Sequence, residues 1–262
     1  MGFLKKVFLK LYYFGNLSKE QTDFYQKRIR NTEWKAISSF IPKNSKFLDI
    51  GCGTGSSMMK AMEDKNCEVF GIDPEPGAHG VGRYIDGVTE GLNIVEGFSE
   101  NLPYANDDFD IVYCSHVLEH VNDEIKSLQE IKRVLKPSGV LIVGMPTASM
   151  SVVSVITETL FTLHQRFFNV LMTPFKKFIT IGHTPLINLI IPPSHSTHRA
   201  RTILFDLSHY RISNWRNIVS TELSIDQVIT PAFYPYPQYL QLFPFHKNRF
   251  FSSSVFFVCK KR

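Results

Sequence analysis

Short apolar runs and amphipathic segments alternate along the first half of the chain, which predicts strands and helices in turn. Helices are predicted at residues 56–64 and 122–135, where apolar residues recur at helical spacing. Strands separated in this way predict a parallel sheet with helices on both faces. The five predicted strands are residues 46–50, 67–73, 92–95, 109–114 and 140–144.

The strand and helix pattern also extends to both sides of this region. Residues 17–40 are amphipathic and predict a helix that ends near Pro42. A helix at 213–222 and strands at 225–230 and 255–258 return to the alternating pattern later in the chain. We therefore expect an α/β fold with a doubly wound, mainly parallel seven-stranded sheet.

Between residues 147 and 210 the alternation stops. Residues 152–163 and 167–181 predict helices, and residues 186–191 are an apolar run closed by two prolines. Structureless loops of this length are rare in compact domains, so we expect a helical insertion or substrate cap after the fifth strand. The expected units are an N-terminal helical segment (1–40), a cofactor-binding core (41–146), the helical insertion or cap (147–210) and the completion of the core sheet (211–262).

The composition is that of a globular protein with reduced thiols. Hydrophobic residues make up 44% and charged residues 20% of the 262 residues, enough to bury a core. The formal net charge is +5 and no basic stripe is evident, so nucleic acid is not an expected partner. Cys52, Cys67, Cys114 and Cys259 have no metal-binding spacing, which is typical of a cytosolic protein and predicts no metal site.

Two segments are expected to contact either a membrane surface or the rest of the domain. Residues 1–14 carry apolar side chains at helical spacing, with lysines away from that stripe. The run is too short and too charged to span a bilayer. It is also not predicted to be a secretory signal. The Phe-rich residues 152–191 leave the same two alternatives open. The expected location is the cytoplasm, either free or peripheral at the inner face of the membrane.

A glycine-rich turn directly follows the first predicted strand. Gly51, Gly53 and Gly55 occupy alternate positions, which lets the backbone approach a ligand. A dinucleotide site needs its third glycine where this chain has Ser56, so an NAD-dependent reductase is only a weak alternative. Asp49 beside the turn would repel a pyrophosphate but suits a cationic amino group.

Five stretches, in order, resemble the motifs of class I S-adenosylmethionine-dependent methyltransferases of the small-molecule, methyltransferase domain 11-like type. The resemblance covers residues 46–146 and implies a Rossmann-like methyltransferase fold with S-adenosyl-L-methionine as the cofactor. The stretches are Leu48-Asp49-Ile50-Gly51-Cys52-Gly53-Thr54-Gly55, Gly71-Ile72-Asp73, Leu102-Pro103-Tyr104 with Phe109-Asp110-Ile111-Val112, Leu118-Glu119-His120-Val121, and Leu135-Lys136-Pro137-Ser138-Gly139-Val140-Leu141.

The resemblance also implies roles for single residues. Gly51 and Gly53 would let the backbone approach the methionine part of the cofactor, with Asp49 near its ammonium group. Asp73 would accept hydrogen bonds from the ribose hydroxyls, a charge-assisted contact. The resemblance implies further cofactor contacts at Cys52, Gly55 and Pro74. It places Ser99 and its neighbour Phe98 near the adenine, and Ser115 at the methyl-transfer site.

Methyl transfer from a sulfonium is an in-line displacement, so the enzyme contributes mainly by positioning, with a general base added for a hydroxyl nucleophile. His116, just past the fourth strand, is the best-placed base, and His195 from the insertion is a second candidate. His198 and His209 are further histidines that the insertion could bring over the site.

The predicted function is methyl transfer to a hydroxyl or amine of a small-molecule, glycan or lipid-linked acceptor. Tyr210, Arg211 and Trp215, with His209 beside them, suit a hydroxylated ligand such as a sugar, or else belong to the core. The alternative function is a catalytically inactive S-adenosylmethionine-binding module that binds a partner. The oligomeric state is left open.

Overall fold

One sheet of seven strands forms the centre of the computed structural model, which describes residues 19–77, 91–157, 203–234 and 251–262. The strands are β1 (Lys46–Ile50), β2 (Glu68–Asp73), β3 (Ile94–Glu96), β4 (Phe109–Ser115), β5 (Leu135–Pro146), β6 (Leu223–Ile229) and β7 (Ser254–Lys261). Their order across the sheet is β3-β2-β1-β4-β5-β7-β6. β1 to β5 pair in parallel, and β7 runs antiparallel to both β5 and β6. The expected doubly wound, mainly parallel α/β sheet is confirmed.

Helices precede the sheet and connect its strands. The predicted helices at 17–40, 56–64, 122–135 and 213–222 are present with small shifts at their ends. The helices are α1 (Lys19–Ile37) followed by a 3-10 turn (Ser38–Phe40), α2 (Ser56–Lys65), α3 (Glu124–Val134), α4 (described over residues 148–157), α5 (Ile203–His209) and α6 (Ile212–Val219).

The central strands are buried on both faces, which is why their sequences are continuous apolar runs rather than alternating ones. On one face Leu48 and Ile50 of β1 pack in a core that includes the apolar sides of α3 and α6. On the other face Phe47 packs with Trp34 and Ile37 of α1. Because successive strand residues point to opposite faces, one short strand supplies both cores.

β5 begins earlier than the sequence pattern predicted. Leu135 already pairs with Phe109 of β4, directly after α3 ends. The register then shifts, so that Ile111 pairs with Val140. The Pro-Ser-Gly segment at 137–139 was expected to lie before the strand, but the extra residues are accommodated as a bulge within it.

Two aromatic residues expected near a ligand lie instead in the core. Tyr210 and Trp215 are both fully buried, with their rings stacked at 5.8 Å. The indole Nε1 of Trp215 donates to the carbonyl oxygen of Pro146 at 3.0 Å, which joins α6 to the end of β5. The expectation that these rings face a hydroxylated ligand is therefore wrong, and the core alternative is correct.

Part of the expected insertion lies within the described residues, and part lies outside them. α4 and α5 are helical, as expected for a helical insertion. His195, His198 and the predicted helix at 167–181 lie outside the described residues, as do residues 1–14. Among the helices that are described, none is both long enough and apolar enough to cross a bilayer.

The sheet has a topological switch point between β1 and β4. The chain moves from β1 outward to β2 and β3, and then returns to the other side of β1 to form β4. In open α/β sheets, ligands bind in the crevice outside the carboxyl ends of the strands at this point. The glycine turn after β1 and the residues after β4 therefore flank the expected binding crevice.

Trp215→Ala tests the placement of this indole in the core. We expect unfolding free energy to fall by about 3–5 kcal/mol, because the substitution leaves a cavity and an unpaired buried carbonyl oxygen. Urea denaturation measures the change. Asn217→Ala, an exposed position on the same helix, is the matched control and should change stability by less than about 0.5 kcal/mol. Equal stability of the two variants would contradict the core assignment.

Candidate functional site

The glycine turn packs tightly between two other segments of the chain. Gly51, Gly53 and Gly55 have φ values of +68°, +50° and +72°, in the left-handed region that favours glycine. A Cβ atom on Gly51 would lie 2.2 Å from Val117 Cγ2, and one on Gly55 would lie 2.3 Å from Leu92 Cδ1. A side chain at either position would therefore displace the segment after β4 or the segment before β3.

Asp73, at the end of β2, braces the glycine turn. Its Oδ2 accepts a hydrogen bond from the backbone N–H of Gly53 at 2.8 Å, and its Oδ1 accepts one from the N–H of Glu75 at 2.8 Å. Each carboxylate oxygen keeps a further lone pair after these contacts. The side chain can thus hold the turn and still accept hydrogen bonds from a diol.

Asp49 is a buried carboxyl group in the middle of the sheet. It is 3% exposed, and its register partners are Gly71 of β2 and Tyr113 of β4. Burial raises the pKa of this carboxyl well above its usual range, and the negative charge of Asp73 adds to the effect. Within the described residues no cationic side chain forms an ion pair with Asp49. A cationic group of a ligand at this position would offset the cost of burying the Asp49 charge. The ammonium group of the expected cofactor fits this requirement.

Cys52 lies beneath the turn rather than in an open position. Its side chain is buried, and a Cβ atom placed on Gly71 would lie 2.8 Å from its Sγ. Burial raises the pKa of the thiol, with further contributions from Asp49 and Asp73. Any contact of this residue with a cofactor would therefore come from its backbone. Pro74, in contrast, is exposed.

The two residues expected near the adenine point in different directions. Ser99 is buried, and its hydroxyl lies 2.9 Å from the hydroxyl of Ser127 on α3. Its side chain is therefore turned toward α3. Phe98 is 62% exposed, so its ring remains free to stack on a planar base. We therefore place any adenine contact at Phe98 rather than at the Ser99 hydroxyl.

Arg133, at the end of α3, holds the loop that follows these residues. Its guanidinium donates to the carbonyl oxygens of Leu102 at 2.9 Å and Tyr104 at 2.7 Å. Glu130 pairs with Arg133 at 2.8 Å and accepts the N–H of Leu102 at 2.9 Å. The loop after β3 is thereby fixed to the helix that follows β4.

His116 directly follows β4 and has an unusual backbone conformation. Its φ of +58° lies in the left-handed region, and its backbone N–H donates to the carbonyl oxygen of Gly144 at 2.8 Å. Such conformations persist where the surrounding structure determines them, and they are concentrated at functional sites. Ser115, the preceding residue, is half-buried at the end of the strand. Both residues lie at the carboxyl end of β4, beside the switch point between β1 and β4.

The His116 imidazole lies between two buried carboxylates. Its Nε2 is 3.5 Å from Glu33 Oε1, and its Nδ1 is 3.5 Å from Glu119 Oε1. The His116 side chain is 11% exposed, and the two glutamates are 1% and 0% exposed. Glu33 was not among the predicted site residues, because it occupies an ordinary polar position of an amphipathic helix. Glu119 stands within one of the family-like stretches but received no role.

These contacts set the charges of the three groups. Burial by itself lowers the pKa of His116, as does the charge of Arg30, but the hydrogen-bonding contributions of Glu119 and Glu33 outweigh both and raise it above its usual value. Burial opposes ionisation of Glu33, yet Arg30 and His116 hold its pKa well below the usual range. The pKa of Glu119 is also lowered, by His116 and His120 against the effect of burial. The two carboxylates therefore stabilise the charged form of the His116 ring.

His209 belongs to a different part of the structure. Its Nε2 lies 3.6 Å from Glu124 Oε1 at the start of α3, and its ring stacks on Phe205 at 4.7 Å. The ring of Trp215 meets it edge to face at 5.0 Å. His209 therefore packs against the core aromatics. Across residues 19–77, 91–157, 203–234 and 251–262, no group of three or more His, Cys, Asp or Glu side chains is arranged to hold a metal ion.

Comparison with known proteins agrees with this geometry. The family described as methyltransferase domain matches residues 48–143. A demethylmenaquinone methyltransferase from Staphylococcus epidermidis is 31% identical over 129 residues, which are 48% of this chain and 51% of that protein. The chain thus spans about half the length of the curated relatives that it matches.

Solved structures share the fold at low sequence identity. An SAM-dependent methyltransferase from Thermotoga maritima has a TM-score of 0.55 and 17% identity, covering 93% of this chain and 94% of that chain. An S-adenosylmethionine dependent methyltransferase from Mesorhizobium loti has a TM-score of 0.52 and 16% identity, covering 88% and 98% respectively. Residues 48–143 thus match the methyltransferase domain family, and the chain shares the fold of these solved methyltransferases.

Proposed function

We propose that the protein is an S-adenosylmethionine-dependent methyltransferase that acts on a small-molecule acceptor in the switch-point crevice. The buried carboxyl group of Asp49 carries this proposal, since it lies beside the glycine turn without a cationic partner among the described residues. A ligand with an ammonium group supplies the missing positive charge, whereas a pyrophosphate would be repelled. The match of residues 48–143 to the methyltransferase domain supports the same conclusion.

The cofactor contacts follow from the positions of the side chains. Asp49 would pair with the ammonium group, and the backbone of Gly51 and Gly53 would lie along the methionine part. Asp73, already oriented by the N–H groups of the turn, would accept the ribose hydroxyls through its remaining lone pairs. The exposed ring of Phe98 would stack on the adenine.

The chemistry requires an acceptor atom in line with the transferred methyl group. When bound, S-adenosylmethionine supplies a methyl group on a cationic sulfur. The acceptor oxygen or nitrogen forms a bond to the methyl carbon, the carbon–sulfur bond breaks, and its electron pair remains on sulfur. A neutral His116 takes the proton that the acceptor loses, and the adjacent carboxylates stabilise the imidazolium that forms.

The acceptor that we propose carries a hydroxyl or amine and is a small molecule, a glycan or a lipid-linked compound. The family match ends at residue 143, before α4, so we place the acceptor-binding residues in the insertion at 147–210. The activity for which the relatives are named favours a second candidate, a demethylated quinone, which would be methylated on carbon. Either acceptor can be apolar, and the exposed Val152 and Ile156 of α4 are compatible with an apolar compound or a membrane surface.

Asp49→Asn tests two effects of the buried carboxyl group separately: its cost to the stability of the ligand-free protein and its contribution to cofactor affinity. We expect affinity for S-adenosylmethionine to fall about 10- to 100-fold in calorimetry, because an amide cannot pair with the ammonium group. The ligand-free variant should nevertheless melt at a higher temperature at neutral pH. The folded-state pKa of Asp49 lies above its unfolded value, so the wild-type protein loses stability as the pH rises through that interval, and the variant does not.

Asp108→Asn is the control for this experiment. Asp108 pairs with Lys46 at 2.6 Å near the amino end of β4, at the opposite edge of the sheet from the crevice. Its substitution should leave cofactor affinity unchanged. Unchanged affinity in Asp49→Asn as well would exclude the ammonium assignment.

Methyl transfer itself is tested with cofactor labelled in its methyl group. The wild-type protein should move label into a cell extract, and His116→Gln should lower the rate about 100-fold while still binding S-adenosylmethionine, because only proton transfer is removed. Mass spectrometry of the labelled compound should show the gain of one methyl group. Label on oxygen or nitrogen supports the first acceptor class, and label on a quinone ring carbon supports the second. A wild-type protein that binds the cofactor but labels nothing would be the partner-binding module instead.

A further inference from the structure

Glu33 lies on α1, outside the residues that match the methyltransferase domain, yet its carboxylate reaches the end of β4. Glu33 is 1% exposed, so its charge is removed from water. Burying a carboxylate is costly unless it is paired and hydrogen-bonded. The surroundings of Glu33 provide both, from several separate segments of the chain.

The partners of Glu33 hold its carboxylate in one position. Arg30 Nη1 pairs with Oε2 at 2.7 Å. The hydroxyls of Tyr234 and Ser254 each donate to Oε1 at 2.6 Å. These three contacts fix the carboxylate without any help from His116. The Oε1 atom that faces His116 Nε2 is therefore set in place by the rest of the fold.

His116 is also held from its backbone. Its backbone N–H donates to the carbonyl oxygen of Gly144 in β5, and the neighbouring Val117 packs closely against Gly51 of the turn. Nε2 is buried and lies 3.5 Å from Glu33 Oε1, and Nδ1 lies 3.5 Å from Glu119 Oε1. Each ring nitrogen therefore has one carboxylate beside it. A carboxylate that orients one imidazole nitrogen while the other exchanges a proton is a recurrent arrangement in catalysis.

We propose that Glu33 is a positioning residue of the methyl-transfer site, holding the Nε2 side of the His116 ring and stabilising its charged form after the ring has accepted the acceptor's proton. The proposal rests on the proposed function, since it deepens the role of His116 as the base. It implies that α1, although outside the matched domain, supplies part of the reaction centre. The titratable groups that face His116 or its two carboxylates are Arg30, Glu33, Tyr113, Glu119, His120 and Tyr234.

Two substitutions on α1 should shift the His116 titration in opposite directions. Glu33→Gln removes a negative charge beside the ring and should lower the ring pKa by about one unit, or tenfold in proton affinity. Arg30→Gln removes a positive charge that opposes the imidazolium and should raise the ring pKa. The opposite pair tests the charge coupling between α1 and the His116 ring, and the pH dependence of methyl transfer then tests whether the reaction uses that coupling. The Arg30 side chain is 43% exposed, so this second variant should fold even if the first is damaged.

The titration is measured by NMR on protein with labelled histidine, saturated with S-adenosylhomocysteine. His116→Gln assigns the resonance. Opposite shifts in the two variants support the proposal, and an unchanged His116 pKa in either folded variant overturns it. This measurement needs no methyl acceptor, so it decides the coupling even if the proposed methyl transfer fails.

The catalytic consequence is measured as the pH dependence of label transfer from S-adenosylmethionine to a cell extract. The acidic limb of the rate should move to lower pH in Glu33→Gln and to higher pH in Arg30→Gln, following the ring pKa. If the acidic limb of the pH–rate curve does not move in a variant whose ring pKa has moved, the positioning role is overturned. If the wild-type protein transfers no label, the proposed function is refuted. The NMR titration then still shows whether Glu33 and His116 are coupled, so the two failures can be told apart.

Discussion

The burial of negative charge at the carboxyl edge of the sheet is the constraint that shapes this site. Glu33, Asp49, Asp73 and Glu119 all lie there, and a buried carboxylate is costly unless something compensates it. Asp73 is compensated by backbone N–H groups, Glu33 by an arginine and two hydroxyls, and Glu119 by neighbouring imidazoles. Asp49 differs, because no cationic side chain among the described residues pairs with it. The same edge therefore contains three internally balanced charges and one that suits an external cation.

Local sequence patterns predicted the strands and the turn well, because those features depend on neighbouring residues. The apolar run at β1, the alternate glycines and the acidic ends of β1 and β2 are all visible in short stretches. The helix α3 was equally clear, since Asp123 caps its N-terminus by accepting the N–H of Lys126 and its apolar residues recur on one face. These elements place the cofactor side of the crevice without any tertiary information.

The surroundings of His116 were harder to predict because they depend on contacts between distant segments. Glu33 looks like any polar position of α1 until the fold brings Tyr234 and Ser254 to it. Tyr210 and Trp215 were misleading for the opposite reason, since amphipathic rings suit a ligand pocket and a core equally well. The sequence pattern also could not predict the direction of the Ser99 hydroxyl, because that direction depends on Ser127 of α3. Residue type and spacing do not decide such questions, whereas packing does.

The position of β7 between β5 and β6 has a consequence for biosynthesis. β6 precedes β7 in the chain but joins the sheet only through it, so the sheet cannot close while residues 254–261 are still inside the ribosome. Ser254 at the start of β7 is also one of the hydroxyls that anchor Glu33. A nascent chain that ends before β7 thus has the glycine turn and its acidic partners, but not the complete set of contacts around Glu33. The order of translation therefore separates the time at which the glycine turn and its acidic partners are available from the time at which the contacts around Glu33 are complete.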